Sequence, residues 1–65
     1  MVVIVNGKEV ETEARLLSDL IAEQTVGGVK IATALNGHFV PAARRELTPI
    51  AAGDRIEIVS PRQGG

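Results

Sequence analysis

The hydrophobic pattern at the start of the chain predicts a β-hairpin. Residues 2–5 form an unbroken run of Val and Ile, which are enriched in strands, and Asn6-Gly7 follows directly. Asn-Gly is the dipeptide that best accepts the positive φ angles of a two-residue hairpin turn. We therefore expect a second strand over about residues 8–11.

An amphipathic helix is predicted over residues 16–24, where apolar residues recur at helical spacing and polar residues fall on the other side. The apolar positions are Leu16, Leu17, Leu20 and Ile21. Gly27-Gly28 predicts the end of the helix, because glycine readily adopts the left-handed conformation that closes a helix. Two turns are too few for an isolated helix, so this one has to pack against a sheet.

A second hairpin is predicted after the helix. Residues 30–35 indicate a third strand, and Asn36-Gly37 turns the chain into a short fourth strand over residues 38–40. Pro41 ends that strand, because proline cannot donate a ladder hydrogen bond. Residues 42–50 are weakly patterned, which predicts a loop or a single helical turn.

The last predicted strand covers residues 55–59, which alternate in the way of a half-buried strand after a turn at Ala52-Gly53-Asp54. The order strand, strand, helix, strand, short strand, strand indicates an α+β domain. It is the β-grasp arrangement, a mixed sheet of four to five strands packed on one helix. In that arrangement the first and last strands are parallel neighbours at the centre of the sheet.

The alternation within these two strands assigns their residues to two faces. The residues predicted to face the helix are Val3, Val5, Ile56 and Ile58. Those predicted on the uncovered face are Val2, Ile4, Arg55, Glu57 and Val59. We expect Val2, Ile4 and Val59 to form a partner-docking surface beside the tail, since clustered exposed aliphatic residues mark interaction sites. Glu57 is interpreted as a surface charge.

Residues 1–59 are therefore predicted to be one ubiquitin-like domain, and residues 60–65 a flexible C-terminal tail. The tail sequence, Ser-Pro-Arg-Gln-Gly-Gly, contains nothing to bury, and chain ends of this kind are poorly ordered. A chain of this size buries only about 60% of the surface that it exposes when unfolded. There is little room inside such a domain for an enclosed active site.

The composition limits which interactions can stabilise the domain and which side chains could bind a metal. The chain has no Cys and one His, so neither disulfides nor a metal site is expected to stabilise it. The 45% hydrophobic content is almost all aliphatic, with Phe39 as the only aromatic residue, and predicts a modest core. His38 is interpreted as a polar residue flanking the turn, because no second metal ligand is near it in sequence. Arg44-Arg45 is interpreted as a solvated pair in a loop.

Charge and hydropathy argue against two classes of partner. Seven basic and eight acidic residues give a net charge of -1, whereas phosphate binding requires a basic stripe, so nucleic acid is not an expected partner. No apolar run approaches the roughly 20 residues of a membrane span. Met1 leads directly into strand-like sequence rather than into a signal peptide, and a cytoplasmic location is therefore expected.

Four segments carry a resemblance to a known family. They are Asn6-Gly7, residues 32–37 (ATALNG) followed by Val40-Pro41, residues 53–59 (GDRIEIV), and the terminal Gly64-Gly65. With them the chain resembles the ThiS family of thiamine-biosynthesis sulfur carriers over essentially its whole length. The molybdopterin-synthase small subunit, MoaD, shares this layout and chain end. Pro61-Arg62-Gln63 departs from the small or aliphatic residues usual in ThiS-like tails, and a proline in the tail resembles the molybdopterin relatives. The short segment 42–52 favours the ThiS family.

The resemblance implies a carrier that is a substrate of enzymes and not itself an enzyme. Its reactive group would be the C-terminal carboxylate of Gly65, presented by Gly64 and Gln63. A ThiF-like adenylyltransferase, of the ubiquitin-activating type, would adenylate this carboxylate with ATP. A sulfur donor such as a cysteine desulfurase would supply the sulfur of a Gly65 thiocarboxylate, and a ThiG-like thiazole synthase would receive it. No permanently bound cofactor is implied.

Three other functions stay open at the level of sequence. The alternatives are a molybdopterin-synthase small subunit, a protein modifier conjugated to lysines, and a β-grasp interaction module with an inert tail. A thiocarboxylate on Gly65 would separate the sulfur carriers from the last two. Copurification with a thiazole synthase, or with a large molybdopterin-synthase subunit, would separate the carriers from each other.

Overall fold

The computed structural model describes residues 1–24 and 30–60. In these residues the chain forms β1 (Val2–Val5), β2 (Lys8–Glu11), α1 (Leu17–Gln24), β3 (Ala32–Leu35), β4 (His38–Val40), a 3₁₀ helix (Ala42–Leu47) and β5 (Arg55–Val59). The strands make one sheet in the order β2-β1-β5-β3-β4. β1 and β5 are parallel, and the other neighbouring pairs are antiparallel. The predicted β-grasp arrangement is confirmed.

Both Asn-Gly pairs form the predicted hairpin turns. In the first turn φ is 51° at Asn6 and 84° at Gly7, and in the second it is 50° at Asn36 and 86° at Gly37. Positive φ at both central residues is the geometry that matches the twist of the strands on either side. These turns set the registers of β1 on β2 and of β3 on β4.

The helix α1 supplies the layer that covers one face of the sheet. Leu17 and Leu20 are fully buried and Ile21 is nearly so, which confirms the predicted apolar face. The helix begins at Leu17, one residue later than expected, because Leu16 instead forms an isolated bridge with Pro49. The predicted end at Gly27-Gly28 lies outside the described residues.

The core lies between α1 and the sheet. Its buried members are Val3, Val5, Ala14, Leu17, Leu20, Ile21, Val40, Ile50 and Ile56, with Ile58 among the half-buried residues packed against them. Phe39, the only aromatic residue of the sequence, is 69% exposed. It lies opposite Ala34 in β4, and the alternation of that strand turns Val40 inward and Phe39 outward. The core is therefore wholly aliphatic among the described residues.

Residues 42–47 form the 3₁₀ helix, which at three residues per turn is about two turns long, whereas the sequence predicted a loop or a single helical turn over residues 42–50. The interpretation of Arg44-Arg45 as a solvated pair is wrong for Arg45, which is half-buried. The Arg45 Nε donates to Thr33 Oγ1 at 3.1 Å, and its Nη2 donates to the Ile31 carbonyl oxygen at 2.9 Å. A guanidinium can reach two acceptors at once because its donors form a rigid fork. Arg45 thus anchors the 3₁₀ helix to β3.

None of the helices in the described part of the chain has the length and apolar character needed to cross a bilayer.

Candidate functional site: the open sheet face and the end of the last strand

The predicted reactive residues lie beyond the part of the chain that the structure describes. Gln63, Gly64 and Gly65 belong to residues 61–65, which are outside it. The description reaches Ser60, an exposed residue directly after β5. The geometry of the candidate site is therefore that of the uncovered sheet face and of the strand end from which residues 60–65 continue.

The uncovered face contains the three predicted docking residues. Val2 and Val59 are 40% and 56% exposed, and Ile4 is half-buried. The alternation of buried and exposed residues in β1 and β5 places all three on the sheet face that points away from the helix, as the strand pattern predicts. Glu57 is exposed on the same face, in agreement with its interpretation as a surface charge.

These three residues share a face but do not form one cluster. In the parallel register Ile4 is aligned with Arg55, so Val59 lies four residues farther along β5. At about 3.3 Å per residue, Val59 is about 13 Å beyond the level of Ile4 and about 20 Å beyond that of Val2. The reason is that β1 ends at Val5, before the Asn6-Gly7 turn, whereas β5 continues along the sheet beyond the level of that turn.

Val59 belongs to a different group of neighbours, an apolar patch formed with residues of β3 and β4. Register places Ala32 opposite Val59 across the β3–β5 pair, and Phe39 opposite Ala34 across the β3–β4 pair. Phe39, Ala32, Ala34 and Val59, called the Phe39 patch below, line a shallow depression of about 150 Å³ together with Thr33 and Glu57. The exposed position of Phe39 on this face was not predicted from the sequence. The alternation of side chains along β4 could have predicted it, because neighbouring residues of a strand point to opposite faces and Val40 points inward.

A second depression on this face is larger and more polar. It has a volume of about 360 Å³ and lies between β2, β1 and β5, where Glu9, Arg55 and Glu57 contribute charged side chains. Glu9 and Glu11 on β2 lie opposite Ile4 and Val2 in the register. The uncovered face is thus apolar beside Val59 and rich in carboxylates toward β2.

His38 is exposed and adjoins the Asn36-Gly37 turn, as interpreted from the sequence. Within residues 1–24 and 30–60 no three metal-ligating side chains come together.

The turn residue Asn6 makes contacts that sequence reasoning also missed. Ile58 N donates to Asn6 Oδ1 at 2.9 Å, and Asn6 Nδ2 donates to the Ile58 carbonyl oxygen at 3.0 Å. Asn36 acts similarly near the other end of β5, where Arg55 N donates to Asn36 Oδ1 at 2.9 Å. Both asparagines therefore form turns with their backbone and hydrogen-bond to β5 with their side chains.

A known protein family matches nearly the whole chain. The sequence profile of the ThiS family matches residues 2–65, which include both terminal glycines. The chain belongs to the ThiS family. The resemblance drawn from its four segments is confirmed by this match.

A solved structure agrees with the fold. The crystal structure of the thiamine biosynthesis protein ThiS from Geobacter metallireducens superposes with a TM-score of 0.83 and 23% sequence identity, covering 100% of each chain. At this identity the likeness establishes the β-grasp fold alone. No curated protein sequence gives a significant match.

Proposed function

We propose that this protein is a sulfur carrier of thiamine thiazole biosynthesis and that the carboxylate of Gly65 is its working group. The observation that carries the proposal is the ThiS family match over residues 2–65, because it extends from the β-grasp domain through Gly64-Gly65. The protein is a substrate of its partner enzymes, and it functions in the cytoplasm.

The proposed chemistry begins with activation of the chain end. A C-terminal carboxylate has a reference pKa of about 3.5, so it is ionised at neutral pH and is a poor acyl donor. A ThiF-like adenylyltransferase joins it to the α-phosphate of ATP, and pyrophosphate leaves. The terminal sulfur of a persulfide, supplied by a donor such as a cysteine desulfurase, then attacks the acyl carbon and displaces AMP, which leaves an acyl disulfide. A second thiol cleaves the S–S bond, forms a disulfide with the donor cysteine and releases the sulfur on Gly65. The resulting Gly65 thiocarboxylate passes sulfur to a ThiG-like thiazole synthase.

Two terminal glycines suit a group that has to enter another enzyme's active site. Glycine has no Cβ and adopts either sign of φ, so Gly64-Gly65 can follow a narrow slot beside ATP. Gln63 precedes them and belongs to the same presenting segment. The absence of Cys from the sequence removes one internal nucleophile that could capture the activated acyl group.

The uncovered sheet face is the proposed docking surface for the adenylating enzyme. Val59 is the last residue of β5, so the Phe39 patch lies where residues 60–65 begin. Six extended residues span at most about 20 Å, which limits how far from this patch the partner's ATP site can lie. A standard interface of about 800 Å² per partner is roughly 30 Å across. One enzyme can therefore cover the Phe39 patch together with Ile4 and Val2.

The test is sulfur loading of the purified protein. Incubation with the ThiF-like enzyme, ATP and a sulfur source should replace one terminal oxygen of Gly65 by sulfur, and omission of ATP should prevent it. Peptide fragmentation has to locate the change, because oxidation of Met1 gives nearly the same mass increment. If sulfur never appears on the C-terminal peptide with a competent cognate enzyme, an inert β-grasp interaction module becomes the better account.

A second candidate is the small subunit of molybdopterin synthase. The observation that favours it is Pro61 before the glycines, because a proline in the tail resembles the molybdopterin relatives. Copurification decides between the two: a thiazole synthase bound to this chain supports the thiamine role, and a large molybdopterin-synthase subunit supports the alternative.

A further inference from the structure

The two Asn-Gly pairs share a chemistry besides their turn geometry. In such a pair the backbone nitrogen of glycine can lose its proton to hydroxide and attack the Cγ carbon of the asparagine amide. A C–N bond forms, the bond from Cγ to Nδ2 breaks, and Nδ2 takes a proton from water and leaves as ammonia. Water then opens the resulting succinimide ring to aspartate or isoaspartate. Glycine hinders this attack least because it has no Cβ, so Asn6-Gly7 and Asn36-Gly37 are both candidates for deamidation.

Solvent reaches both turns equally. All four residues of the two pairs are exposed. A Cβ placed on Gly7 or on Gly37 would meet no heavy atom within 4 Å beyond its own chain neighbours. Exposure therefore does not distinguish the two pairs, and any difference in reactivity has to come from the way in which each asparagine amide is held.

The amide of Asn6 is held by the backbone of the central strand. Its Oδ1 accepts the Ile58 N–H at 2.9 Å, and its Nδ2 donates to the Ile58 carbonyl oxygen at 3.0 Å. Ile58 itself is paired with Thr33 of β3 and packs against the core. For ring closure Cγ has to approach Gly7 N and Nδ2 has to leave, so both bonds to Ile58 have to break. A backbone group fixed on one side by β3 and by the core cannot follow this movement, so Asn6 reacts only when the sheet opens.

The amide of Asn36 is held less firmly. Its Nδ2 donates to Asp54 Oδ1 at 3.2 Å, the long end of the hydrogen-bond range, and this acceptor is a side chain that can rotate away. Its Oδ1 accepts the Arg55 N–H at 2.9 Å. Arg55 is the exposed first residue of β5 and directly follows a turn. Strand ends open more readily than strand centres, so Asn36 can leave both partners while the rest of the sheet stays closed.

We propose that Asn36-Gly37 is a site of spontaneous deamidation in the folded protein, where Gly37 N displaces ammonia from Asn36. Asn6-Gly7 has the same sequence and the same turn geometry but is protected until the sheet opens. Local opening requires much less free energy than opening of the central strands, so Asn36 should react at least about tenfold faster than Asn6 in the folded chain.

Both products alter the second hairpin. Aspartate at position 36 places an oxygen of a second carboxylate where Nδ2 donated to Asp54 Oδ1, so an attractive contact becomes a repulsive one. Isoaspartate adds one carbon atom to the backbone, and the two-residue turn then no longer matches the pairing of Leu35 with His38. The modification therefore acts on β4, the strand that carries Phe39.

Peptide mapping by mass spectrometry tests the assignment. The purified protein is incubated in mildly alkaline buffer, once folded and once in concentrated urea, and the deamidated fraction at each asparagine is followed with time. In urea the two pairs should react at nearly the same rate, because each follows a bulky aliphatic residue, Val5 or Leu35. In the folded protein Asn36 should react at least about tenfold faster than Asn6. Equal rates in the folded protein, or a faster reaction at Asn6, would overturn the proposal.

Asp54→Ala tests the contact that distinguishes the two sites. This variant loses the acceptor for Asn36 Nδ2, so deamidation at Asn36 should accelerate several-fold relative to the parent. Asn6 in the same chain is the internal control, because a general loss of stability raises both rates. The ratio of the Asn36 rate to the Asn6 rate should therefore rise, and an unchanged or lower ratio would refute the argument from local opening. If Asp54→Ala does not fold, the comparison of folded and urea-treated parent protein decides the proposal by itself.

Discussion

Replacing Leu20 with Ala would remove three carbon atoms from a position with 0% exposure between α1 and the sheet. At about 0.8 kcal/mol per buried methylene, the lost transfer free energy is about 2.4 kcal/mol. Incomplete collapse of the surrounding side chains adds a cavity cost, which brings the expected loss to about 3–4 kcal/mol. A domain of this length has a free energy of unfolding of only roughly 3–10 kcal/mol.

Urea denaturation followed by circular dichroism measures this loss. With a slope of about 1 kcal/mol per molar for so small a domain, the midpoint should fall by about 3 M, or the variant should be partly unfolded without denaturant. Leu47→Ala is the matched control, because Leu47 is 69% exposed and should change stability by less than about 0.5 kcal/mol. Equal midpoints for the two alanine variants would refute the packing argument.

Three further predictions concern the tail, the uncovered face and the 3₁₀ helix. Deleting Gly65 should abolish sulfur loading, measured on the C-terminal peptide, and leave the thermal midpoint nearly unchanged, since a terminal glycine has no side chain that could be buried. Phe39→Ala and Ile4→Glu should each weaken binding to the adenylating enzyme about tenfold or more in a titration, while both variants stay folded. Arg45→Ala should destabilise the domain by about 1–3 kcal/mol in chemical denaturation, because Arg45 bonds a buried hydroxyl and a carbonyl, whereas Arg44→Ala should be nearly neutral.

Each of these predictions has a contradicting outcome. Sulfur loaded onto a chain without Gly65 would move the reactive group elsewhere. Affinity equal to that of the parent in both face variants would remove the uncovered sheet face from the docking surface. Equal stability of the Arg44 and Arg45 variants would mean that the two hydrogen bonds of Arg45 are replaced by water without cost.

Local chemistry was sufficient to predict most of the fold. Asn6-Gly7 and Asn36-Gly37 determine their turns because both residues of each pair accept positive φ with little strain. The alternation of Arg55–Val59 and the helical spacing of Leu17 and Leu20 likewise depend only on neighbours in the chain. The order of these elements then indicated the β-grasp arrangement, and the family resemblance directed attention to Gly65.

Tertiary structure decided the features that depend on register and on distant partners. The separation of Val2 from Val59 follows from where β1 stops along β5, and no local pattern contains that alignment. Arg45 is anchored because Thr33 in β3 and Ile31 just before it provide acceptors, and Asn6 bonds Ile58 across 52 positions of sequence. Strand periodicity assigns a residue to a face of the sheet. Only the assembled sheet determines which residues on that face, or at the end of a neighbouring strand, come within hydrogen-bonding distance.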